Sequence, residues 1–181
     1  GRVDARSLES CDQLILILPP APAASHFRQL PQGSEMQHVQ RKATSGSTPA
    51  FSSRLANKRQ TLVVAGTLEK DATTFEQLTL GRKLVAAACG ENAGSMGICV
   101  VGFETAEQIT ITNNIVAAAL AAAFQLPSYK SKKSPPTIKS LRLLGADERV
   151  DTARTEAEAM GNNLARWLTT MPPNKMDAVG Y

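Results

Sequence analysis

The stretch TLVVAGTLEKDATTFEQLTLGRKLVAAACGENAGSMGICVVG, Thr61–Gly102, decides the fold. Its β-rich centre, Leu62-Val63-Val64, predicts a strand, and Gly66 is read as the residue that permits a close turn after it. Thr73-Thr74-Phe75-Glu76 fits a capping box, and Leu80, Leu84 and Ala88 then recur at i, i+4 and i+8 up to Gly90, which predicts a helix of about four turns. Ile98–Val101 is a second short apolar run and predicts another buried strand. A strand, a helix and a strand in this order form the unit that sets parallel strands under a covering helix.

The same alternation continues in both directions. Upstream, Phe51–Leu55 can pair with the first strand across a hairpin tip at Asn57-Lys58-Arg59, and Gln13-LILIL-Pro19 is a continuous apolar run suited to a buried strand. Between them, Pro19 to Ser47 reads as connecting structure, with one or two helical turns over Ser34–Lys42. Downstream, Thr105-Ala106-Glu107-Gln108 is a second capping box, and Ile109, Val116, Leu120 and Phe124 lie near one face of a helix that ends before Pro127. Its alanines from Ala117 to Ala123 predict close packing on a sheet. Ile138–Leu143 alternates like a strand that closes at Gly145. A last helix is expected from about Asp147 to Thr170, with Val150, Ala153, Ala157, Met160, Leu164 and Trp167 or Leu168 along an inward stripe and Trp167 largely buried as its anchor. These residues predict an α/β fold, with a sheet that is at least partly parallel and helices on its faces.

With 181 residues and 43% hydrophobic content, the chain can bury one good core. It contains no run of eighteen apolar residues, so a soluble protein is expected and a membrane partner is not. Cys11, Cys89 and Cys99 form no CxxC pair and predict free thiols in a reducing cytoplasm, packed as small apolar groups. Of the 20 Lys/Arg and 16 Asp/Glu, residues 1–60 hold 8 and 4, which leaves 12 of each for 61–181; the net charge of +4 therefore lies in the N-terminal third.

Catalytic machinery is not visible. Gly90, Gly94 and Gly97 precede a strand, whereas a phosphate-cradling loop follows one, and they are read as a turn. Asp147, Glu148, Asp151, Glu156 and Glu158 suit the solvated first turns of a helix better than a metal site. His26 and His38 suggest no triad, and no HExxH or CxxC element occurs. No residue is assigned a catalytic, cofactor-binding or metal role. The one candidate contact is Lys130, Lys132 and Lys133 beside Tyr129 in the basic loop Ser128–Pro136, an aromatic among cations of the kind that touches nucleic acid. A solvated loop is the reading favoured over it, because a few lysines give only weak, salt-sensitive attraction.

The C-terminal segment GNNLARWLTTMPPN, Gly161–Asn174, carries a resemblance. It is similar to the part of the M17 leucyl aminopeptidases where a helix with an Ala-Arg-aromatic/aliphatic-Leu core runs through a Pro-x-Asn turn into the catalytic domain. Pro172-Pro173 ends the helix and fixes an extended exit. The upstream order of elements is also similar to the N-terminal domain of that family. The resemblance implies a macro-domain-like α/β fold with a mixed, largely parallel sheet flanked by helices, divided into a domain over 1–148, a linker helix and turn over 149–174, and the start of a catalytic domain at 175–181. It further implies a cytoplasmic, homohexameric parent that removes N-terminal residues from peptides with two divalent metal ions, Zn or Mn, held by the C-terminal catalytic domain. The chain itself is then non-catalytic, without a cofactor, and serves assembly and access to the active site. The alternative is a ligand- or DNA-binding macro-like module.

Overall fold

The computed structural model describes residues 3–42, 48–90, 94–126 and 138–171. Five strands, β1 (Gln13–Leu18), β2 (Phe51–Arg54), β3 (Leu62–Thr67), β4 (Ser95–Val100) and β5 (Ser140–Leu143), form one sheet in the order β2-β3-β1-β4-β5. β1 is central and parallel to both neighbours, with Gln13 beside Leu62 and Met96, and β5 is parallel to β4. Only β2 runs antiparallel, placing Phe51 opposite Ala65 across the hairpin anticipated at Asn57–Arg59. The sheet is thus mixed and mostly parallel, as the strand–helix alternation predicts. A central strand has no solvated face, and all six residues of β1 are buried.

Successive side chains of β1 point to opposite faces, which divides the core in two. Ile15 and Ile17 join Val64, Ile98 and Val100 beneath α4 (Thr74–Cys89) and α5 (Thr105–Ala123), which contribute Leu84, Val85, Ile111 and Ile115. Leu14, Leu16 and Leu18 pack on the opposite side with Leu8 of α1 (Ala5–Glu9), Phe27 of α2 (Ala24–Phe27) and Met36 of α3 (Gly33–Lys42). Cys11 and Cys99 belong to this second layer and are free thiols, and burial pushes the Cys99 thiol up to about 12. Such a thiol is inert packing material.

The Thr73 capping box forms as the sequence predicts. Glu76 N–H donates to the Thr73 hydroxyl at 3.3 Å, and the Glu76 carboxylate accepts from Thr73 N–H at 2.8 Å. The second box does not form, because Glu104 takes the N-cap position of α5 without a side-chain cap and Thr105 is already helical. Gln108 instead donates from Nε2 to the Val100 carbonyl at 2.6 Å, tying α5 to the end of β4.

Two glycines read as turn residues lie inside strands. Gly66 faces α4, where a Cβ would stand 2.7 Å from a Leu84 methyl, and a Cβ on Gly97 would stand 2.9 Å from Leu144 and 3.2 Å from the Cys11 sulfur. Both allow a side chain from the next layer to reach the sheet. The alanine-rich part of α5 packs on α4 as well as on the sheet, and a Cβ on Gly81 would meet Ile115 and Ala118 at 2.9 and 3.0 Å.

At the N-terminal end of the strands, Asp12 fastens three of them. Its carboxylate accepts from Ser95 N–H and the Ser95 hydroxyl, each at 2.8 Å, and from Arg59 at 2.7 Å. Burial alone would push this carboxyl up, but the bonds from Ser95 and Arg59 outweigh it and hold it below its ordinary value.

The last helix, α6, spans Ala153–Thr170 and starts later than the expected Asp147. The Asp147 side chain accepts from Arg149 N–H at 3.0 Å, and the Asp151 side chain accepts from Ala153 N–H at 2.9 Å. Such local bonds hold a backbone out of the helix. Of the five carboxylates expected in its first turns, Glu156 and Glu158 lie there, Glu158 paired with Arg154, while Asp147, Glu148 and Asp151 precede the helix and Asp147 pairs with Arg149.

Candidate functional site

Lys130, Lys132 and Lys133, the candidate nucleic-acid contacts, and Tyr129 beside them lie outside the described residues. Among the described residues no group of three or more His, Cys, Asp or Glu could hold a metal ion, and no helix is long and apolar enough to cross a membrane. Two surface features stand out among the described residues.

The first is the outer face of α6, and it corrects the expected inward stripe. α6 packs against α5, and its half-buried positions Thr155, Ala159 and Asn163 recur every four residues. The face turned toward the domain is therefore mostly small and polar, with Leu168, also half-buried, as its one large apolar residue among the described positions. It is held by Arg166, which donates to the Ala121 carbonyl at 3.0 Å and lies 5.6 Å from the centre of the Phe124 ring. The apolar stripe looks outward: Met160 is 73% exposed, Leu164 58% and Trp167 38%. Trp167 is thus no core anchor, and α6 has no buried residue. The period of the stripe was legible, whereas the direction it faces was not. Large apolar residues at i, i+4 and i+7 on an otherwise polar helix are the signature of a surface that another body covers.

The second feature is a crevice of about 420 Å³ at the C-terminal edge of the sheet. Pro19 follows β1 there, Val101–Phe103 follow β4, His26 and Gln29 come from α2 and the turn after it, Lys70 from the β3–α4 loop, and Glu104, Glu107 and Gln108 from the start of α5. Gly102 has φ +89°, and a Cβ on it would stand 2.8 Å from both the His26 ring and Pro19 Cδ, so this floor accepts glycine alone. Glu107 accepts from Asp71 N–H at 3.0 Å, which joins the start of α5 to the loop that carries Lys70. No motif or spacing announced this crevice, since its residues come from four separate segments.

The chain matches no protein-family model and no curated protein. Its fold does match solved structures. A mutant of tomato leucine aminopeptidase superimposes with a TM-score of 0.73 at 18% identity, over 99% of this chain and 39% of its own. The bottromycin maturation enzyme BotP, in complex with Mn, superimposes with a TM-score of 0.61 at 13% identity, over 94% of this chain and 34% of its own. The chain thus shares an α/β fold with both proteins and spans 39% of the length of one and 34% of the other.

Proposed function

We propose that this chain is the non-catalytic N-terminal domain of a two-metal aminopeptidase, and that it serves assembly of the parent and access to its active site. The observation that carries the reading is the near-complete superposition of the chain on little more than a third of a leucine aminopeptidase. The outward stripe of Met160, Leu164 and Trp167 supports it, because a catalytic domain of the same polypeptide would cover such a face. The described residues offer no set that would hold Zn or Mn, so the metal chemistry is assigned to that further domain. A cytoplasmic, homohexameric parent completes the proposal.

The test is to read the gene past codon 181, express the whole product and assay leucyl-p-nitroanilide hydrolysis with Mn or Zn. Chelator-sensitive turnover is expected, together with a clear loss of activity or assembly on Leu164→Lys in the whole product. A downstream sequence without a metallopeptidase domain, or a Leu164→Lys protein that assembles and turns over normally, would overturn the proposal.

A further inference from the structure

In parallel α/β sheets, ligands sit outside the carboxyl ends of two neighbouring strands whose connections leave in opposite directions. β1 and β4 are such a pair, since the chain leaves β1 toward β2 and β3 on one side and leaves β4 toward β5 on the other, and the crevice opens where Leu18 and Val100 give way to Pro19 and Val101. Its lining is unusual for a mere surface dent. Among the described residues Lys70 and Glu104 form no ion pair, the Gln29 side chain makes no hydrogen bond, and Nδ1 of His26 is buried without a partner. The first N–H groups of α5 receive no cap from the Glu104 side chain, and of the residues that carry them Glu107 lines the crevice. Unspent donors and acceptors of both signs therefore converge on one cavity, next to the half-buried ring of Phe103.

Charge decides which ligand this suits. One ammonium, Lys70, stands against two carboxylates, Glu104 and Glu107, so a phosphate entering here would meet a net negative wall. A zwitterion meets both signs. Its carboxylate can take the uncapped Glu107 amide and Lys70, its ammonium can take Glu104, and its side chain can lie on the half-buried Phe103. The volume lies within the range of small-molecule pockets, about 300–1,000 Å³, and leaves room for one or two residues.

We propose that the crevice binds a free α-amino acid or dipeptide in its zwitterionic form. The inference rests on the crevice alone and stands whether or not the aminopeptidase reading holds. It is tested by titrating the 181-residue chain with leucine and Leu-Leu, by calorimetry and by amide chemical shifts, with N-acetyl-leucine, leucinamide and inorganic phosphate as comparisons. Leucine or Leu-Leu is expected to bind with Kd of about 1 mM or tighter and to shift the amides of Gly102–Glu107, and blocking either terminus is expected to weaken binding at least about tenfold. Glu104→Gln, which removes no cap, should weaken leucine by about the same factor and leave N-acetyl-leucine unchanged. Gly102→Val should abolish binding. Failure of both leucine and Leu-Leu to bind, equal binding of N-acetyl-leucine, or tighter binding of phosphate that ignores Glu104→Gln would overturn the proposal; if Gly102→Val does not fold, the Glu104→Gln comparison decides alone.

Discussion

Truncating Leu164 to Ala should leave this chain almost as stable as before, whereas the same truncation at Leu84 should not. Leu84 is fully buried, with both methyl groups packed over Gly66, so Leu84→Ala loses the transfer energy of the side chain and leaves a cavity, for a cost of about 2–5 kcal/mol. Leu164 keeps 58% of its surface in water. With full burial of such a side chain worth about 1.5–3 kcal/mol, the share at stake is about 0.6–1.3 kcal/mol. Alanine returns a few tenths through its better helix propensity, which leaves roughly 1 kcal/mol or less. Urea unfolding of the two variants and the parent chain, followed by far-UV circular dichroism, measures this directly, provided the slopes agree. A loss of 2 kcal/mol or more at Leu164 would refute the reasoning, since it would mean that α6 turns its apolar stripe inward after all. The docking face would then disappear with it.

Asp12→Asn should flatten the acid limb of the stability curve: a carboxyl held below its ordinary 3.8 stabilises the fold above that pH and loses this contribution as the pH falls through the depressed value, so the variant should be less stable at neutral pH and differ less near pH 2. Thermal melts from pH 2 to 7 check this, and parallel curves would reject it. Gly161 of α6 has nothing within 4 Å of a Cβ, so Gly161→Ala should stabilise by about 0.5–1 kcal/mol, while Gly33→Ala should destabilise by about 1–3 kcal/mol or more because its Cβ would overlap the Phe27 carbonyl; equal effects in denaturant titration would contradict the packing. The 181 residues alone should show no leucyl hydrolysis with Mn, Zn or Co, and turnover that survives repurification and is abolished by chelator would place chemistry in this chain. Duplex DNA should bind no tighter than about 10⁻⁵ M near physiological salt, and sub-micromolar binding lost when Lys130, Lys132 and Lys133 become Ala would promote the nucleic-acid reading.

Leu14–Leu18, Leu62–Val64 and the Thr73 box were legible because each is a local pattern with a local cause: a dry strand lacks polar residues, and a capped helix needs its cap. The Thr105 box misled because two residues compete for one cap position, and Glu104, extended at ψ 152°, holds it. Gly66 and Gly97 misled for a different reason, since the sequence marks that a side chain is missing and not which neighbour fills the space. The stripe on α6 marks an apolar face without naming what lies over it. The crevice was illegible because His26, Lys70, Gly102 and Glu104 meet only through the order of the strands, and that order is a long-range property of the whole sheet.

The central place of β1 also sets a schedule. Gln13 must wait for Leu62 and then for Met96, 49 and 83 residues later along the chain. With synthesis at about 5–20 residues per second, the second partner emerges about 4–17 s after the strand itself. Throughout that interval Leu14-Ile-Leu-Ile-Leu18, uncharged and β-forming, has at least one edge unpaired on a nascent chain, the kind of edge that pairs with its own copies on neighbouring ribosomes. The yield of folded protein should therefore depend on translation speed and on chaperones that hold Gln13–Leu18, long before the finished domain has any stability to measure.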